Sequence, residues 1–144
     1  MPGPSDVQTA NGGATIGRAE TGDSITFTFD GPVPPSLVLS GWSGTATNVT
    51  VSLNHFGSTA LLTVQDPGGA TLWALGWVDL NGSYVNGVDV AFTGSTMTAS
   101  GSDITVVLGT PSTSGLKTVS VPTTMTWVAG FAWVSEAGLP DVEF

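Results

Sequence analysis

His55, in the segment Leu53-Asn54-His55-Phe56-Gly57, is the sole histidine of the chain. A general base needs a nucleophile and an orienting partner within reach. The residues around His55 supply neither, and the segment reads as a strand end or turn with a solvated ring. Asp23, Asp30, Asp66, Asp79, Asp89 and Asp103 could offer oxygen ligands to Ca²⁺ if two loops converged. They follow no EF-hand spacing and form no dense D-x-D run. Most fall at turns, where an aspartate bonds its own backbone. Nothing marks one carboxyl as the raised-pKa acid of a glycosidase pair. The absence of cysteine excludes a disulfide framework, a thiolate metal site and a cysteine nucleophile. The expectation is a protein that is not an enzyme and uses no metal or cofactor.

The tryptophans say more. In "TLWALGWVDL" (71–80) the alternation leaves two apolar faces, with Trp73, Leu75 and Trp77 on one and Leu72, Ala74, Val78 and Leu80 on the other. A sandwich strand buries one face, so a second apolar face implies a further contact. The C-terminal "WVAGFAWVSEAG" raises the same point with Trp127, Phe131 and Trp133. The candidate interface residues are therefore Trp73, Leu75, Trp77, Phe131, Trp133 and Phe144. A loop packed over the sheet is one alternative. A carbohydrate platform is another, but it needs hydrogen-bonding neighbours, and those of Trp73 and Trp77 are mostly aliphatic. Aromatics are enriched at protein interfaces, which favours a protein partner.

These residues need a scaffold. A chain of 144 residues suits one domain, 1–144. Only 9% of the residues are charged, against roughly 25% in an average soluble domain. Arg18 and Lys117 are the only Lys or Arg, and the net charge is −9. Nucleic acid and anionic membrane surfaces are disfavoured partners. No apolar run is long enough to span a bilayer as a helix. The segment "MPGPSDVQTANGG" lacks the basic and apolar regions of a signal peptide. The sequons at Asn48 and Asn81 read as accidents of a Ser/Thr-rich chain.

Helix formers are scarce and period-two alternation recurs. "SITFTFD" (24–30), "NVTVSL" (48–53), "ALLTVQD" (60–66) and "VDVAF" (88–92) read as strands, the last with Val88, Val90 and Phe92 on one face. "STMTASGSDITVVLG" (95–109) reads as a hairpin turning at Gly101-Ser102, and "KTVSV" (117–121) and "TMTWV" (124–128) as further strands. "DPGG" (66–69) is a turn. Pro32, Pro34 and Pro35 force the chain out of the sheet. Leu37 to Leu39 should resume as a crossover strand, with Trp42 capping the core. The fold class is all-β, an immunoglobulin-like antiparallel β-sandwich of about seven to nine strands.

The stretch "GDSITFTFDGPVPPSLVLSGWSG" (22–44) resembles the opening of bacterial immunoglobulin-like repeats of the SwmB type, found in actinobacterial surface proteins and phage virion proteins. Gly22-Asp23 and Gly41-Trp42 carry the match, and "STMTASGSDITVVLGTPS" (95–112) and "TTMTWV" (123–128) extend it. The resemblance covers about 10–128, and the tail 129–144 departs from it. It implies a spacer, an adhesion module or a virion accessory. A single domain without a signal suits a phage particle released by lysis. The expectation is a homo-oligomeric virion protein, most simply a capsid decoration protein or tail accessory, that binds capsid or tail proteins. The rival is a carbohydrate-binding or adhesion module.

Overall fold

Alternation in the sequence becomes alternation between core and surface. In the computed structural model, which describes residues 2–121, 124–129 and 135–136, Ile25, Phe27 and Phe29 of β2 (Ser24–Phe29) are buried while Ser24, Thr26 and Thr28 lie toward solvent. The same pattern fills the core from β3 (Thr47–Phe56) with Val49, Val51 and Leu53, and from β4 (Thr59–Gln65) with Ala60, Leu62 and Val64. β6 (Val90–Ser100) adds Val90, Phe92 and Met97, and β7 (Asp103–Val107) adds Ile104 and Val106. The remaining strands are β1 (Pro4–Ala10), β5 (Trp77–Asp79), β8 (Thr110–Pro111), β9 (Thr126–Val128) and β10 (Ser135–Glu136).

All the strand pairs are antiparallel, and the order β1-β2-β7-β6-β3-β4-β5-β9-β10 forms one continuous sheet, with β8 paired to β6. β1 lies against β9 and β10, so the sheet curls almost closed. The all-β antiparallel fold is as expected, and its sandwich-like layers have barrel-like closure. Trp127 of β9 seals the closure from inside. Its ring lies 5.2 Å from that of Phe27 and 5.1 Å from that of Phe29, both on β2. Its indole N–H donates to the Leu75 carbonyl at 2.7 Å, so the buried ring leaves no donor unpaired.

β6 changes partner along its length. Its first residues pair with β3 and β8, and its last with β3 and β7. The switch falls at Gly94 (φ +66°), beside an irregularity in the register with β3. A bulge bends a strand and strengthens its twist. Buried Ser95 holds the bend by donating to the Phe92 carbonyl and accepting from the Gly109 N–H.

Four expectations change. Pro35–Val38 is one turn of helix, α1, where a crossover strand was expected at Leu37 to Leu39. Pro35 presets its own φ for a first helical turn, and the Leu39 N–H closes that turn on the Pro35 carbonyl at 3.1 Å. In 71–80 only Trp77–Asp79 is strand, because Leu72 to Gly76 turn back on themselves through two backbone bonds. Segment 117–121 forms no strand and instead laces two loops together. Val88 is 44% exposed, because β6 begins two residues later, where the Asp89 carboxylate takes the His55 N–H. The hairpin at Gly101-Ser102, the turn at 66–69 and the buried Trp42 are where the sequence places them. β1 was not anticipated, since its buried residues are only Pro4 and Val7, amid polar neighbours.

Candidate functional site

The registers divide the loops between two ends. The β3–β4 hairpin tip, the β1–β2 loop, the segment 80–89 and the segment 112–121 share one end, here the upper. The N-terminal residues, the segment 30–46, the turn 66–70 and the segment 71–76 share the lower end.

At the lower end Trp73 is 63% exposed. Its backbone is firmly placed. The Leu72 N–H donates to the Val64 carbonyl at 2.8 Å, Leu75 N–H to Leu72 at 3.0 Å, and Gly76 N–H to Trp73 at 3.1 Å. The neighbouring Leu72, Ala74 and Leu75 are buried, and the Leu75 carbonyl is the one that Trp127 holds. The turn is thus anchored on both sides while its largest side chain faces out. Trp77 is half-buried on β5. Leu75, expected at an interface beside Trp73, belongs to the core, because the turn breaks the alternation and rotates it inward. Phe131, Trp133 and Phe144 lie outside the described residues.

At the upper end the central group is Asp23, a fully buried carboxylate. One oxygen accepts the Gly12 and Gly13 N–H groups, each at 2.8 Å, and the other accepts the Glu20 N–H at 2.9 Å. Glu20 in turn accepts the Thr15 N–H, at 2.6 Å. The β1–β2 loop therefore winds around two carboxylates. Burial pushes the Asp23 carboxyl above its ordinary 3.8, against the three N–H donors that hold it down, and the nearby Glu20 charge adds to the rise. Gly12 is required here, because a Cβ on it would sit 2.1 Å from the Gly22 carbonyl oxygen.

This loop is laced to the rest of the upper end. The Val119 N–H donates to the Gly17 carbonyl, Lys117 N–H to Tyr84, and Asn86 N–H to Gly115, each at 2.8 Å. Buried Tyr84 and Val85 close the core beneath. Between the β1–β2 loop and segment 111–116 opens a cleft of about 450 Å³. Arg18 and Glu20 supply its charged groups, Thr21, Thr113 and Ser114 its hydroxyls, and Ala14, Pro111 and Leu116 its apolar lining. The Arg18 Nε–H donates to Thr118 Oγ1 at 3.1 Å. None of this was singled out from the sequence. The available signal was Arg18 itself, a rare cation inside the Gly-rich loop 12–22.

The remaining carboxylates stay apart. Asp30 accepts the Gly3 N–H, Asp66 the Ala70 N–H, Asp79 the Thr59 hydroxyl and the Asn81 N–H, and Asp103 the Thr28 hydroxyl. Each thus serves a turn or a strand pair. Among the described residues no three His, Cys, Asp or Glu side chains gather where they could hold a metal ion. His55 is exposed near the end of β3. No protein-family model, no curated protein and no solved structure matches the chain.

Proposed function

We propose that this chain is a non-enzymatic structural protein that docks through its lower end onto a protein lattice, as a capsid decoration protein or tail accessory of a phage particle does, and that it self-associates there. The observation that carries the reading is Trp73, held outward on a turn whose flanking residues are all fixed. Aromatic side chains dominate interface hot spots, and a rigid support lowers the entropy lost on docking. The fold supports the same role, since a nearly closed sheet leaves little free edge to pair with stray chains. The resemblance of 22–44 to the immunoglobulin-like repeats of surface and virion proteins is a second support.

The experiment is fluorescence quenching by acrylamide at rising protein concentration. The difference between the chain and its Trp73→Phe variant isolates the signal of Trp73. Falling quencher access with concentration fits docking between copies. Access that is unchanged at every concentration, together with protection by added neutral oligosaccharide, would replace the reading with a carbohydrate-binding module.

A further inference from the structure

We propose that the upper-end cleft binds a sugar acid, a pyranose that carries a carboxylate, with Arg18 as its anchor. The cleft of about 450 Å³ falls within the usual size of small-ligand sites and lies at the mouth of a nearly closed sheet, a common place for them. A single pyranose fills part of that volume.

The chemistry of the lining selects the ligand. Arg18 is one of two Lys or Arg residues in a chain with eleven Asp and Glu. Surplus acid should pair it, yet among the described residues its one side-chain bond goes to a neutral hydroxyl, that of Thr118. That bond engages Nε and orients the guanidinium. No other described residue bonds the terminal nitrogens, whose fork geometry suits a carboxylate. The Glu20 oxygen that Thr15 leaves unused can accept from a sugar hydroxyl. Thr113 and Ser114 are exposed hydroxyls that can donate or accept. Ala14, Pro111 and Leu116 offer apolar surface to the C–H face of a ring. A bare anion would use Arg18 alone and leave the rest of this lining idle.

The walls are also set in advance. The Thr21 hydroxyl donates to the Gly109 carbonyl at 2.8 Å, the Gly22 N–H to the Leu108 carbonyl at 2.9 Å, and Asp23 fixes the loop from within. Preorganisation limits the entropy lost on binding. The net charge of −9 repels free anions, so the expected affinity is weak, on the order of 1 mM.

The test is titration of the isotope-labelled chain with sodium glucuronate, followed by amide chemical shifts, with glucose and acetate as comparison ligands. The expected result is saturable shifts centred on residues 18–21 and 113–116, with glucose and acetate each about tenfold weaker or more. Arg18→Gln should weaken glucuronate about tenfold without altering the spectrum elsewhere, because the side chain is exposed. Thr113→Val should weaken glucuronate while leaving acetate unchanged. The proposal is overturned by no saturable shift, by shifts centred elsewhere, by equal binding of glucose or acetate, or by an Arg18→Gln variant that binds like the parent. Trp73→Ala should leave this titration unchanged, so its outcome is independent of docking at the lower end.

Discussion

The two ends of the molecule use the same device to different effect. At each, an aspartate carboxylate gathers backbone N–H groups of its own loop. Asp66 does so in an exposed turn, where it accepts from Ala70 at 3.0 Å. Asp23 does so inside the protein, with three donors and no solvent. The tryptophans differ in the same way. Trp127 is fully buried between the rings of β2 and the Leu75 carbonyl. Trp73, two residues before that carbonyl in the chain, is mostly exposed. Burial separates the residues that hold the fold from those free to meet a partner, and residue type does not.

Substitutions can break the comparison, beginning with the largest effect. Trp127→Ala should destabilise by about 4 kcal/mol, because it empties the closure of the sheet. Thermal unfolding followed by circular dichroism reads this, and a loss near zero would mean that the closure carries no stability. Asp23→Ala should follow at about 2 kcal/mol, since it takes the shared acceptor from three part-buried backbone donors and empties a buried position. Asp66→Ala should stay within about 0.5 kcal/mol, because water replaces its carboxylate. An equal loss for the two aspartates would dissolve the contrast between the ends.

The contrast also has a pH signature. The folded-state pKa of Asp23 is raised, so the folded protein holds this proton more firmly than the unfolded chain does. Its contribution is fully present below the ordinary 3.8 and declines as pH rises through the folded-state value. The stability of the chain relative to Asp23→Asn should therefore fall across that window. Chemical denaturation at a series of pH values checks the sign, and a relative stability that rises instead would show that the three N–H donors outweigh burial.

Much of the scaffold was legible because period-two patterning is a local signal. Phe27, Val51, Leu62 and Ile104 all face the core as their alternation requires. Closure of the sheet was not legible, since it depends on Trp127 meeting Phe27 and Phe29 from distant sequence. β1 was hidden because one buried valine makes a weak pattern. Trp73 is exposed and Trp77 half-buried, but Leu75, expected on the same face, lies in the core. Alternation predicts a face only while the chain stays extended, and 72–76 is a turn. The role of Asp23 escaped because a turn aspartate and a buried loop anchor look the same in sequence. Only the long-range packing of the loop distinguishes them.

The smallest effect on stability belongs to Trp73, whose side chain is mostly exposed. Trp73→Ala should leave unfolding within about 0.5 kcal/mol of the parent. That makes it the cleanest probe of docking. The measurement is the mass of the chain and of Trp73→Ala by light scattering, over a wide concentration range and at high salt to screen the net charge of −9. The account predicts that the parent rises to a defined oligomer and that the variant, equally folded, stays monomeric. A parent that remains a monomer throughout, or a variant that assembles as well as the parent, would contradict it.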